Sequence, residues 1–235
     1  MSDLFSLSIV MPVWMEAEGI AGILEALQPL RSAGHEVIVV DAGSTDGTAR
    51  LAGPLADRVV QSRKGRAAQM NAGAAVAEGS VLLFLHADTL LPSNASDCLS
   101  EFFHSNKDWG RFDVSLSGQG VMFSVIAWFM NQRSRLTGIC TGDQAMFMRR
   151  EVFEDLHGFD CLPIMEDIEF SRRLRLVSRP FCIHEPVVTD SRRWEQKGVW
   201  RTIFLMWRLR WRYWRGDSPE ALVHSYRSDI RNAKD

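Results

Sequence analysis

Cysteine is sparse and unorganised in this sequence. Cys98, Cys140, Cys161 and Cys182 stand far apart, with no C-x-x-C pair and no repeated interval. That excludes a zinc-ligand spacing or a disulfide framework and makes a reduced, cytoplasmic setting the expectation. A basic stretch ahead of an apolar one is also missing: the chain opens Met1-Ser2-Asp3-Leu4, so no cleaved secretory signal is expected. No run reaches the roughly 18 uninterrupted apolar residues of a membrane span, and the longest, such as Val121 to Met130, are expected to be buried helices. Charge of one sign is not in excess, and a formal charge of −2 gives no global attraction to nucleic acid. Internal repeats, low-complexity tracts and linkers are absent, as are a P-loop and a G-x-G-x-x-G fingerprint. A chain of 235 residues can bury one full core, and a single domain over 1–235 is expected.

What is present is a rhythm of short apolar runs and helical patterns. Leu7 to Val13, Glu36 to Val40, Arg58 to Gln61 and Val81 to Leu85 read as strands, the continuous β-branched ones as strands buried on both faces of a parallel sheet. Ile20, Ile23, Leu24 and Leu27 recur at helical spacing, and Gly65 to Ala77 reads as an alanine-rich helix. From about Arg111 the pattern changes. Phe112, Val114 and Leu116 alternate with polar residues, predicting a strand with one solvated face. Gly120 to Arg135 reads as a helix, Gln144 to Met148 as a strand and Glu166 to Leu176 as a helix. The fold class is therefore α/β, with a mixed, mainly parallel, Rossmann-like sheet flanked by helices.

Each early strand ends in a polar cluster, and ligands of open α/β sheets sit beyond the strands' carboxyl ends. Asp41, followed by Ala42-Gly43-Ser44-Thr45-Asp46, could accept hydrogen bonds from a base or ribose, or could simply shape a turn. Lys64-Gly65-Arg66 at a helix start offers cations and free N–H groups to a pyrophosphate, although a solvated charge pair would read alike. The small residues of Ala67-Ala68-Gln69-Met70-Asn71-Ala72-Gly73 permit close backbone approach. Asp88, in His86-Ala87-Asp88 after the run Leu82 to Leu85, suits a hard cation such as Mg²⁺ or Mn²⁺ held largely by diphosphate and water. The competing reading makes Asp88 a cap for a helix opened near Pro92. Glu166-Asp167 begins a helix, where acids are common; one of them could instead take the proton of an attacking hydroxyl.

Together these segments resemble the family 2 glycosyltransferases of the GT-A fold, from about Ser8 to Trp194. Ile9-Val10-Met11-Pro12-Val13-Trp14-Met15-Glu16 is similar to the family's first strand and its P-V-x-x-E turn, and Val39 to Thr48 to its V-D-x-G-S-x-D-x-T segment. The H-A-D-T and G-D-Q-A strings resemble a small bacterial subgroup. The resemblance implies transfer of a sugar from a nucleoside-diphosphate sugar, most commonly UDP-linked, to a small-molecule or lipid-linked acceptor. Residues 1–110 would be the nucleotide-binding half, 111–195 the acceptor and catalytic half, and 196–235 a helical extension. Pro12, Val13, Glu16, Asp41, Ser44, Lys64, Arg66 and Asn71 would bind the nucleotide and diphosphate. Asp88 would hold the metal, His86 standing where the family's first acid usually is. Asp167 would be the base, supported by Glu166, and by analogy with inverting glycosidases the transfer would invert. Gly142, Asp143 and Gln144, with Arg193 and Trp194 of a string like the Q-x-x-R-W of processive synthases, would face donor sugar and acceptor.

Residues 199–215 interleave aromatics with five arginines. They suit a membrane surface at the inner face of the membrane, packing on the sheet, or a homodimer contact. A nucleotidyltransferase of similar layering is an alternative, though Pro12 to Glu16 lacks its Gly-rich basic loop. So is a catalytically silent nucleotide-sugar-binding protein, against which the retained Asp88 and Asp167 argue.

Overall fold

The computed structural model describes residues 5–231. Strands β1 (Leu7–Val13), β2 (Glu36–Asp41), β3 (Arg58–Gln61), β4 (Val81–Phe84), β5 (Thr89–Leu90), β6 (Trp109–Leu116), β7 (Phe147–Arg149) and β8 (Phe181–Thr189) form one sheet in the order β3-β2-β1-β4-β7-β6-β8-β5. Helices are α1 (Ile20–Ala26), α2 (Gln28–Ser32), α3 (Thr48–Ala52), α4 (Arg66–Ala74), α5 (Ala95–His104), α6 (Val121–Thr137), α7 (Arg150–Asp155), α8 (Glu166–Val177), α9 (Arg192–Lys197), α10 (Val199–Trp214) and α11 (Pro219–Arg231). The sheet is mainly parallel, with β7 antiparallel to β4 and β6, and β5 antiparallel to β8.

The period-two geometry of a strand explains why the first strands are continuous apolar runs. Leu7, Ile9, Met11 and Val13 enter the core on one face together with Val37, Val39, Val81 and Leu83. Val10, Ile38, Val40, Leu82 and Phe84 enter the core on the other. On that second face α4 lies against β1 and β2. A Cβ on Gly73 would run into Val10 Cγ1 and come within 2.9 Å of Val40 Cγ2, so only glycine allows this approach. β1 is flanked by β2 on one side and β4 on the other, which makes the β1/β4 boundary a topological switch point with a crevice at the carboxyl ends.

The second half corrects three expectations. The strand near Arg111 has no solvated face: β6 is buried along almost its whole length. Its alternating polar residues are internal partners instead, Arg111 and Arg135 both pairing with the buried Asp113. Gln144 stands in the short 3-10 turn Gly142–Gln144 rather than in a strand, and β7 starts at Phe147. The apolar run Val121 to Met130 is a helix but not a buried one. Of α6 only Ile126, Ala127 and Ser134 are buried, while Val121, Val125, Trp128 and Phe129 are exposed. Among the described residues no helix is long and apolar enough to cross a membrane.

Candidate active site

A cleft of about 230 Å³ opens at the β1/β4 switch point, lined by Pro12, Val13, Trp14 and Glu16 from the end of β1, Lys64, Gly65, Arg66 and Gln69 at the start of α4, and His86, Ala87 and Asp88 after β4. Three strand-end clusters that lie far apart in sequence thus meet in one place.

The loop after β1 is held by the segment after β2. Ser44 Oγ accepts the Met15 N–H at 2.9 Å, Thr48 Oγ1 accepts the Glu16 N–H at 2.9 Å, and Asp46 Oδ2 accepts the Ala17 N–H at 3.1 Å. Ser44 therefore shapes the loop rather than facing the cleft. Asp41 shapes the turn and keeps one oxygen unengaged. Oδ2 closes the turn by accepting the Gly43 and Ser44 N–H groups at 3.1 and 3.0 Å, while Oδ1 is buried with no partner. A buried carboxylate oxygen without a donor is costly unless a ligand supplies one. Lys64 Nζ lies 2.9 Å from the centroid of the half-exposed Trp14 ring, a cation–π contact at the cleft mouth.

Gln69, which sequence reasoning passed over, is a buried clamp. Its Nε2 donates to Val13 O at 2.8 Å and Val40 O at 2.9 Å, tying β1 to β2. Its spacing from Arg66 and Gly73 on one helix face was the available signal. Asn71 does not line the cleft. Its amide is taken up by Phe159, donating to the carbonyl at 2.8 Å and accepting the N–H at 2.9 Å.

Asp88 caps no helix, because α5 begins at Ala95 behind Asn94. It is exposed, and its Oδ1 accepts the Thr89 hydroxyl at 3.1 Å. Glu16 is pushed above the usual carboxylate range by burial first and by the charge of Asp88 second. Two acids that repel each other across a cleft form a donor set that a divalent cation would relieve. No cluster of three His, Cys, Asp or Glu side chains suited to a metal occurs among the described residues, so Asp88 would share a cation with ligand oxygens.

Asp167 opens α8 and is fixed at both oxygens: Gly142 N–H donates to Oδ2 at 2.9 Å and Ile168 N–H to Oδ1 at 2.8 Å. Burial still raises it above the usual range, against these two donors, with Asp143 adding to the rise and the Arg66 charge offsetting part. Glu166 beside it is buried and likewise raised, by burial first and then by Asp167. Asp167 keeps some accessible surface.

His86 links the two centres. Its ring is buried against Gly142, and Nδ1, with no hydrogen-bond partner, lies 3.6 Å from Asp143 Oδ1. Gln144 is fully buried, its Nε2 donating to Ser134 Oγ at 3.1 Å and its Oε1 accepting the Thr141 N–H at 3.4 Å, so it braces the turn and does not face a ligand. Trp194 is half-buried in α9, and the Arg193 side chain lies outside the described residues. Arg192, unremarked in sequence, sends its charge toward Glu16 and pairs with Asp190 at 2.5 Å.

The profile of Glycosyl transferase family 2 matches residues 8–156. A comparison with curated proteins gave no match. Among solved structures, the chain is similar to S. aureus TarS 1-349, with TM-score 0.65 and 20% identity, over 80% of this chain and 61% of that one. It is also similar to the mannosyltransferase PcManGT from Pyrobaculum calidifontis in complex with GDP-Man and Mn²⁺, with TM-score 0.58, 24% identity, and coverage of 78% and 56%. A third is glucosyl-3-phosphoglycerate synthase from Mycobacterium tuberculosis in complex with Mn²⁺, UDP and phosphoglyceric acid, with TM-score 0.56, 20% identity, and coverage of 77% and 69%. The chain spans about three fifths of the TarS fragment's length. At these identities the likeness shows the shared GT-A-type sheet. With the family profile covering more than half of its length, the chain belongs to glycosyl transferase family 2.

Proposed function

We propose that this protein transfers a sugar from a nucleoside-diphosphate sugar, UDP-linked foremost, to an acceptor hydroxyl, with inversion and with help from Mg²⁺ or Mn²⁺. The acceptor oxygen attacks the anomeric carbon, the bond from that carbon to the phosphate oxygen breaks, the nucleoside diphosphate leaves with the electron pair, and Asp167 takes the hydroxyl proton. The observation that carries this reading is the Asp167 carboxylate, fixed by two N–H donors yet raised in affinity for a proton by burial. Pro12, Val13, Glu16 and the free oxygen of Asp41 suit the nucleoside, and Lys64 and Arg66 at the start of α4 suit the diphosphate. Bound beside Asp88, the cation would neutralise charge on the leaving diphosphate.

The complexes of PcManGT with GDP-Man and Mn²⁺ and of the glucosyl-3-phosphoglycerate synthase with UDP and Mn²⁺ support the donor class and the metal. The His86-Ala87-Asp88-Thr89 string, with histidine at the first acid position, supports membership of a small bacterial subgroup. A cytoplasmic protein resting on the inner face of a membrane through α10 would suit a lipid-linked acceptor, and a small soluble acceptor would meet the same base. Release of nucleoside diphosphate from UDP-, GDP- and dTDP-sugars tests the proposal. Asp167→Asn should lower the rate about 10²- to 10⁴-fold while nucleotide affinity holds. Binding without turnover in the unaltered protein would instead mark a silent nucleotide-sugar-binding protein.

A further inference from the structure

Two helices that carry exposed apolar rows, α10 and α6, both line one groove. On α10, Trp200, Phe204, Trp207, Trp211 and Trp214 recur at spacings of four and three and are all exposed. Beside that stripe run the exposed Arg201, Arg208 and Arg215, seven residues apart, with the Arg215 guanidinium 4.8 Å from the centre of the Trp211 ring. The opposite face of α10 packs inward through Leu205 and Leu209 against Met165 and Leu222. The outward stripe is therefore not needed to hold the helix in place.

On α6, Met122, Val125, Phe129 and Arg133 form a single row at spacings of three and four, three of them exposed apolar residues. Arg133 ends that row as the α6 wall of a shallow groove of about 520 Å³, whose other wall is Phe204, Trp207, Arg208, Arg210 and Trp211. Its Nε and Nη2 are buried without a hydrogen-bond partner. Neither helix contains an acidic residue, although the whole chain carries −2. Cations and tryptophans are thus gathered on one side of the molecule.

We propose that α6 and α10 together form a docking face for an anionic lipid bilayer, with the aromatic rows entering the headgroup layer and the arginines meeting lipid phosphates. Tryptophan is favoured at the membrane interface, where its ring is buried and its N–H stays wet, and arginine reaches anionic headgroups along an apolar stem. Aromatic and basic side chains exposed together along one groove point to an interaction site. Charge selects the occupant. A second copy would bring arginine rows against arginine rows, whereas an anionic lipid surface complements them. Docking is independent of the transfer chemistry, so vesicle binding and donor turnover can fail separately.

The test is flotation of the full chain with vesicles of phosphatidylcholine alone and of phosphatidylcholine mixed with phosphatidylglycerol, read also by tryptophan emission. Binding to the mixed vesicles should exceed binding to neutral ones by more than about tenfold at low salt and fall as salt screens it. Arg208→Ala should weaken it by roughly fivefold. Trp207→Ser with Trp211→Ser, and separately Val125→Ser with Phe129→Ser, should each abolish the blue shift while nucleotide binding and the melting temperature hold. No binding to anionic vesicles would overturn the proposal, as would a stable dimer that shields Trp207. Loss confined to the α10 pair would overturn the two-helix face.

Discussion

Replacing Gly142 by alanine tests whether the turn that carries Asp143 and the strand end that carries Asp88 are mechanically one unit. The added Cβ would lie 2.5 Å from His86 Nε2 and closer still to Cε1, where ordinary contact needs about 3.5 Å. Something must therefore move by about 1 Å. The ring is buried at 7% exposure, so ring and backbone of residue 142 should share the shift. That backbone carries the N–H that orients Asp167 at 2.9 Å. Overpacking of this kind costs about 1–3 kcal/mol, and a displacement of about 1 Å at a reacting group lowers turnover about 10²-fold. Thermal melting and initial-rate donor turnover read the two effects. His86→Ala in the same chain should return most of the stability, because His86 Nδ1 has no hydrogen bond to lose and the clash partner is gone. A Gly142→Ala protein with unchanged melting and turnover within twofold would refute the packing argument.

Further outcomes follow from the same geometry. Because burial raises Asp167 and Glu166, turnover should, with Asp167 as the proposed base, fall on the acid side at a pH above the ordinary carboxylate value. Stability has the opposite sign: an acid raised on folding supports the fold when protonated, and that support is lost as pH rises through its folded value. Melting temperature should thus gain from mild acidification in the native chain and gain less in Asp167→Asn, measured by calorimetry across pH. Gln69→Leu removes two N–H donations, to Val13 and Val40. Val13 O keeps the Ala42 N–H at 3.2 Å, so the loss should be about 1 kcal/mol, with weaker nucleotide binding as the loop after β1 loosens; chemical denaturation and calorimetry check both.

The sheet's first half was legible because β-branched runs buried on both faces leave their mark directly in the sequence, as did the polar clusters that end them. Glu16, Lys64, Arg66 and Asp88 reach the same cleft because each follows such a run or opens the next helix. What was not legible depends on partners remote in sequence. Arg111 and Asp113 read as solvent-facing until Arg135 of α6 is placed beside them. Gln144 and Asn71 sit in motif strings, yet their amides are engaged by Ser134 and the Phe159 backbone, and no local pattern announces that. The apolar character of α6 suggested burial, while the row along Val125 and Phe129 is left uncovered. Periodicity reports which residues share a face, not what that face meets.

The central claim is that a nucleotide diphosphate and a divalent cation bind together at the β1/β4 switch point through Asp88. Calorimetric titration of UDP, GDP and dTDP, with and without Mn²⁺, on the native chain and on Asp88→Ala tests it most directly. The account predicts that one nucleotide binds tightly only with Mn²⁺ and that Asp88→Ala removes this dependence. Affinity for every nucleotide that is indifferent to both the metal and Asp88 would contradict it.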